Sequence, residues 1–206
     1  MNVFVATATY QQHVHAQYAV SIARDCLLAT KTDHVIAPPS IEDGGLVGMN
    51  RNRLFELFVE NPIFDVMVFI DSDLGWEPGA IVKLIETPGE IVGGVYPYKD
   101  SSGKFPFWPI PTSGPVGEVE VVPGGFLKIT RKAAMMLHAD CKFPFRHLIE
   151  DDVEFGEDIS FCKRARRLGI HVYARMDISF DHWGVTHWSG NAMTDLKIPN
   201  MEAEHG

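Results

Sequence analysis

Val66-Met67-Val68-Phe69-Ile70 is an unbroken apolar run that leads directly into Asp71-Ser72-Asp73. Side chains alternate between the two faces of a strand, so a strand that is apolar at every position has to be covered on both faces. Residues 66–70 therefore read as a buried strand in a sheet layered between helices. The rest of the chain supplies those layers. Tyr18, Ile22, Cys26 and Ala29 recur at helical spacing and predict a helix over residues 11–30. Further helices are expected over 50–59, closed by Asn61-Pro62, and over 78–86, 131–138 and 157–168, the last stopped by Gly169. Strands are expected at 2–7, at 33–37 (stopped by Pro38-Pro39), and at 91–96, 118–122, 126–129 and 171–174. Residues 99–117 are rich in Gly, Pro and Ser, with Phe105, Phe107 and Trp108 among them. They read as a long loop or an excursion of short strands, and loops of that length tend to be functional. Strands alternating with helices predict one α/β domain over residues 1–206, its mostly parallel sheet flanked by helices.

At 206 residues, 46% of them hydrophobic, the chain can bury a sizeable core without staples. A formal net charge of -9 argues against duplex nucleic acid as the main ligand. Cys26, Cys141 and Cys162 are an odd number without CxxC spacing, which argues against a disulfide framework or a zinc ribbon and fits a reducing compartment. The apolar start lacks the basic flank and length of a signal segment, and no apolar run reaches membrane length. The expectation is a cytoplasmic protein without a transmembrane segment.

Ligands of open α/β sheets bind at the carboxyl ends of the strands. Asp71 and Asp73 stand two residues apart there, so on an extended chain both can point at one object. Close carboxylates call for a cation or a shared proton. Mg²⁺ and Mn²⁺ prefer carboxylate oxygen and bridge phosphates well. The same residues could instead cap the turn at 75–78. Glu157-Asp158 opens a helix, where the macrodipole favours carboxylates, so simple capping also accounts for them. Neighbours on a helix point about 100° apart, so only one of the two need face a cleft. There it could take the proton of an attacking hydroxyl. His182, beside Trp183, is a candidate third metal ligand or a packed structural histidine. His187-Trp188 could form part of an acceptor wall, and His13 and His15 carry little expectation of metal binding.

The order of these pieces is informative. Thr7, Thr9 and Tyr10 come first, at a strand tip, then Asn50-Arg51-Asn52-Arg53 on a helix. FIDSD follows at 69–73, Gly124-Gly125 next, FGEDISFCKRARRLG at 155–169, and FDHWG at 180–184. From about Val3 to Gly184 this resembles the GT-A glycosyltransferases, whose fold is Rossmann-like, and especially the inverting GT2 family. The resemblance implies a nucleotide-sugar donor, commonly a UDP-sugar, a carbohydrate or lipid-linked acceptor, and Mn²⁺ or Mg²⁺ as cofactor. It implies that Asp73 binds the metal, that Asp71 touches the ribose or the metal's water shell, and that His182 completes the site. Asp158 would be the general base, next to Glu157. Thr7, Thr9 and Tyr10 would line the base and ribose pocket together with Asp71-Ser72, and Arg51 or Arg53 would reach the nucleobase or phosphates. Gly124 and Gly125 would let backbone approach the donor sugar. Many relatives read the nucleobase with an Asp-rich turn after the second strand. Here that strand runs into Pro38-Pro39-Ser40, with Glu42 and Asp43 further on.

The reaction expected from the resemblance is an inverting transfer. Asp158 deprotonates the acceptor hydroxyl as it attacks the anomeric carbon, and a cation at Asp73 offsets charge on the leaving diphosphate. Three other readings compete. A haloacid-dehalogenase-type phosphatase would use Asp71 as nucleophile, but that motif usually lies near the N-terminus and is followed by different residues. A nucleotidyltransferase of related fold normally needs a Gly-rich basic loop after the first strand, and residues 6–12 hold neither Gly nor Lys. A carbohydrate-binding module would explain the aromatics but not two acidic pairs.

Overall fold

The computed structural model describes residues 1–100, 102–111, 113–184 and 187–199. The chain runs through β1 (Asn2–Thr9), α1 (Ala16–Ala29), β2 (Val35–Ile36), β3 (Ser40–Asp43), α2 (Val47–Glu60), β4 (Val66–Ile70), β5 (Leu74–Trp76), α3 (Ala80–Glu86) and β6 (Ile91–Gly94). The second half holds β7 (Val116–Val119), β8 (Phe126–Thr130), α4 (Arg131–Asp140), β9 (Leu148–Glu150), β10 (Val153–Phe155), α5 (Glu157–Arg167), β11 (Val172–Arg175), β12 (Phe180–Trp183), β13 (His187–Gly190) and α6 (Ala192–Asp195). The central sheet has the order β2-β1-β4-β8-β6-β11-β7, and β3 also pairs with β1. β1 is parallel to β2, β3 and β4, and β6 is parallel to β11. β8 runs antiparallel between β4 and β6, and β7 lies antiparallel on β11.

β4 is buried at every residue, and its alternation feeds two cores. Val66, Val68 and Ile70 pack with Tyr18 and Ile22 of α1 and with Ile81 and Leu84 of α3. Met67 and Phe69 face the other way, onto Leu54, Phe55 and Phe58 of α2 and Phe161 and Ala165 of α5. Helices on both sides of a mixed, largely parallel sheet are the layering that the five-residue run demands. All three cysteines are free thiols, Cys162 fully buried.

The expected helix over 11–30 starts only at Ala16. Gln11 and Gln12 adopt left-handed φ values of 59° and 57°, which turn the chain before the helix, and the His15 side chain caps its first turn. Pro38-Pro39 does not end the second strand segment but divides it. Proline has no N–H to donate, so β2 pairs with the start of β1 and β3 with its end.

Asp25 on α1 ties two layers together. It is fully buried, and its carboxylate accepts the N–H groups of Gly79 (2.8 Å) and Ile81 (2.9 Å) and Trp76 Nε1–H (3.1 Å). It thus caps the first turn of α3, whose own N-cap, Gly79, has no side chain for the task. Asp25→Ala orphans three donors, two of them buried and one partly buried. It is expected to lose roughly 3 kcal/mol or more of stability, read as a shifted denaturant midpoint with unchanged slope.

Candidate functional site

The site lies at the carboxyl ends of β1 and β4. Because β8 runs antiparallel to β4, its entry falls opposite the exit of β4. Phe126 pairs with Ile70, and Asp71 N–H donates to Gly125 O at 2.8 Å. This is how the distant Gly124-Gly125 reaches Asp71. Beyond Asp73 the chain becomes β5, which pairs antiparallel with β12, with Leu74 opposite His182. Trp183 N–H donates to Asp73 O at 2.9 Å, and His15 N–H to Ser72 O at 2.7 Å. Backbone bonds from three elements therefore hold Asp71-Ser72-Asp73 in place.

Arg51 on α2 is the buried centre of the site, 3% exposed. Its Nη2 donates to both Asp71 oxygens, at 2.8 and 3.2 Å, and its Nη1 to Glu157 Oε1 at 2.8 Å. Burial disfavours the guanidinium charge, but Asp71 and Glu157 more than restore it, so its pKa is raised. Both glycines are small for a steric reason. A Cβ on Gly124 would lie 2.4 Å from Arg51 Nη1, and one on Gly125 would lie 2.2 Å from Asp71 Oδ2 and 2.3 Å from the Tyr96 hydroxyl. Tyr96 is buried, and its hydroxyl accepts Gly125 N–H at 3.1 Å. Burial, then the Asp71 charge, pushes its pKa well above the ordinary phenol value.

Glu157 and Asp158 diverge, as adjacent helix positions must. Glu157 is committed to Arg51, with His147 Nε2 at 3.9 Å on its other oxygen. Among the described residues Asp158 accepts one long bond, from Gly124 N–H at 3.4 Å, which leaves its carboxylate otherwise free on the side of the glycine turn.

Asp73 meets His182 and Lys99. His182 Nε2 is 3.6 Å from Asp73 Oδ1, and Lys99 Nζ is hydrogen bonded to Asp73 Oδ2. Burial raises the Asp73 pKa, but the nearby His182 ring, beyond hydrogen-bond reach at 3.6 Å, and the Lys99 bond outweigh it and hold the carboxyl below its usual range. His182 Nδ1 lies 2.8 Å from Pro97 O. A carbonyl can only accept, so Nδ1 carries the proton, and the lone pair of the neutral ring sits on Nε2. Asp73 Oδ1 is buried without any hydrogen-bond partner among the described residues. An orphaned carboxylate oxygen beside a histidine whose tautomer is set by a carbonyl would fit a divalent cation, with Asp73 and His182 as the residues to hold it. Among the described residues no three His, Cys, Asp or Glu side chains converge on one point. Asp71, the expected co-ligand, gives both oxygens to Arg51.

A cavity of about 240 Å³ opens at this lip, lined by Thr9, Tyr10, Asn50, Asp71, Ser72 and Asp73 among others. Thr7 does not line it. It is fully buried and shares a 2.5 Å hydrogen bond with Tyr18. Arg53 does not line it either; it is half exposed and pairs with Glu42 at 3.6 Å. β3 delivers Asp43 to the same lip, where Oδ1 accepts Thr9 Oγ1–H at 2.9 Å and Gln12 N–H at 2.8 Å. His15 and His187 stack on the two faces of Trp183, with ring centroids 4.5 and 4.1 Å apart. A second, larger cavity of about 690 Å³ adjoins through Gly45 and Val47 and is walled by Glu157, His147 and Glu154. The sequence alone assigns no role to Asn50, Lys99, Tyr96 or His147. Of these, Asn50 lies inside the quoted NRNR run and Lys99 opens the segment read as a functional loop. Tyr96 and His147 carry no local signal.

No family model matches the chain, and neither does any curated protein. Among solved structures it is similar to A197 from STIV, with a TM-score of 0.60 and 18% identity over 89% of this chain and 86% of that one. It is also similar to the catalytic domain of Drosophila beta1,4-galactosyltransferase 7, crystallised with xylobiose. Here the TM-score is 0.51 and the identity 12%, over 85% of this chain and 65% of that one. At these identities the likeness concerns the fold. The chain has a GT-A-like glycosyltransferase fold, an α/β domain with a mostly parallel central sheet and flanking helices. No described helix is long and apolar enough to cross a membrane.

Proposed function

We propose that the chain is a metal-dependent glycosyltransferase of the inverting, GT2-like kind, moving a sugar from a nucleoside-diphosphate donor, a UDP-sugar as first choice, to a hydroxyl acceptor. The observation that carries this reading is the orphaned Asp73 Oδ1 facing His182 Nε2 at the lip of a GT-A-like sheet. Asp73 and His182 would hold Mn²⁺ or Mg²⁺, which when bound supplies Lewis-acid stabilisation of the departing diphosphate. The nucleoside would occupy the smaller cavity, against Thr9, Tyr10 and Asn50, with Asp43 at its rim. Arg51 is tied to two carboxylates, so its role is to position Asp71 and Glu157 rather than to bind phosphate.

Asp158 is the carboxylate left free, and it would accept the proton of the acceptor hydroxyl as that oxygen attacks the anomeric carbon. The acceptor would reach Asp158 from the side of the glycine turn. The larger cavity, walled by Glu157, Glu154 and His147 with Leu46 and Met49 as an apolar flank, does not include Asp158. The test is a screen of nucleotide-sugars with Mn²⁺ by thermal shift, followed by transfer assays with Asp158→Asn. The variant is expected to keep its nucleotide affinity while turnover falls by about 10²–10⁴. Transfer at the full rate would remove Asp158 from the role. No stabilisation by any nucleotide would remove the donor assignment.

A further inference from the structure

The proposed donor site already contains a positive charge. Lys99 Nζ lies on Asp73 Oδ2, the partnered oxygen of the carboxylate whose other oxygen is orphaned beside His182. Lys99 belongs to a short reversal of the chain after β6, closed by Tyr98 N–H on Lys104 O at 3.0 Å. Both side chains are about one-third exposed, 34% for Lys99 and 38% for Asp73, so the ammonium can move without opening the core. Asp73 is the residue that both cations would use. An ammonium and a divalent ion on one carboxylate repel each other, and an exposed ion pair is weak enough to exchange.

We propose that Lys99 is a resident counter-cation that holds Asp73 until the donor arrives and then transfers to the donor diphosphate, so that metal and diphosphate bind as a coupled pair. This rests on the metal-site reading above. In the free protein Lys99 weakens metal binding at Asp73. When a diphosphate is present, Lys99 has a better anionic partner and releases Asp73, which together with His182 would then be free to hold the ion. Linkage makes the effect reciprocal, so metal must strengthen diphosphate binding by the same factor. Pro97 carries the carbonyl that orients His182 and stands two residues before Lys99, so displacement of the ammonium and orientation of the imidazole share one segment.

The experiment measures Mn²⁺ binding by loss of the free-ion electron paramagnetic resonance signal, with and without UDP or GDP. Wild type is compared with Lys99→Gln, Lys99→Arg and Asp73→Asn. Lys99→Gln is expected to bind Mn²⁺ alone about tenfold more tightly than wild type, and to show a smaller gain when diphosphate is added. In EDTA it should bind the diphosphate more weakly. Lys99→Arg should behave like wild type. If wild type binds Mn²⁺ with diphosphate but Lys99→Gln binds the ion alone no better, Lys99 is not a competitor and the inference is overturned. If neither protein binds Mn²⁺ under any condition, the metal site itself is refuted and the inference falls with it.

Discussion

Asp73→Asn is expected to leave the fold intact and to remove nucleotide-dependent Mn²⁺ binding, with transfer falling by about 10³-fold. The substitution preserves shape but replaces one carboxylate oxygen with an NH₂ group and removes the charge. In the structure one Asp73 oxygen holds Lys99 and the other is buried without a partner. An amide there cannot offer two anionic oxygens, and its NH₂ faces either Lys99 or the Nε2 lone pair of His182. Charge stabilisation of a leaving diphosphate is worth several kcal/mol, and about 4 kcal/mol corresponds to the stated rate loss. Asp73 is joined to the sheet by its backbone carbonyl on Trp183 N–H, a bond the substitution does not touch, so thermal stability should change little. Two measurements decide the matter: Mn²⁺ titration in the presence of nucleoside diphosphate, and the melting temperature. A variant that melts normally and still binds Mn²⁺ like wild type would take Asp73 out of the metal site.

The parts of this site that could be read from sequence are those specified by local patterning. The run at Val66–Ile70 dictates a central strand whatever its neighbours, and its carboxyl end is where ligands of such sheets bind, so Asp71 and Asp73 were legible as a pair. The divergence of Glu157 and Asp158 follows from helix geometry alone. What local patterning could not show is which distant strands return to that lip. β3, β5, β9, β10, β12 and β13 are only three or four residues long, too short for a sequence pattern to reveal, and each exists because a partner strand fixes it. Alternating elements suggested parallel neighbours, yet β8 enters antiparallel, and only that reversal carries Gly124-Gly125 to Asp71. The two arginines of NRNR were indistinguishable in sequence. On α2 they point to different sides, so Arg51 is enclosed by Asp71 and Glu157 while Arg53 meets Glu42 near the surface. Thr7 and Thr9 share one face of β1, yet Thr7 lies deeper in the layer and satisfies Tyr18 instead of a ligand.

Arg51→Met is expected to destabilise the protein by about 3–5 kcal/mol, the range found when one partner of a buried ion pair is removed. The guanidinium joins Asp71, at the end of β4, to Glu157, at the start of α5. Methionine fills much of its volume but leaves two largely buried carboxylates with no cation between them. Their repulsion and lost hydrogen bonds, rather than a cavity, produce the effect. One consequence separates this from a packing defect. A second substitution, Glu157→Gln in the Arg51→Met background, should recover part of the loss, which a double-mutant cycle measures as coupling between the two sites. Arg51→Lys should retain only part of the stability, since a single ammonium cannot reproduce the planar fork in which Nη2 bonds Asp71 while Nη1 bonds Glu157. If Arg51 bound phosphate instead, Arg51→Met would lose nucleotide affinity at unchanged stability, and that outcome would reverse the assignment of Arg51 as the residue that positions the two acids.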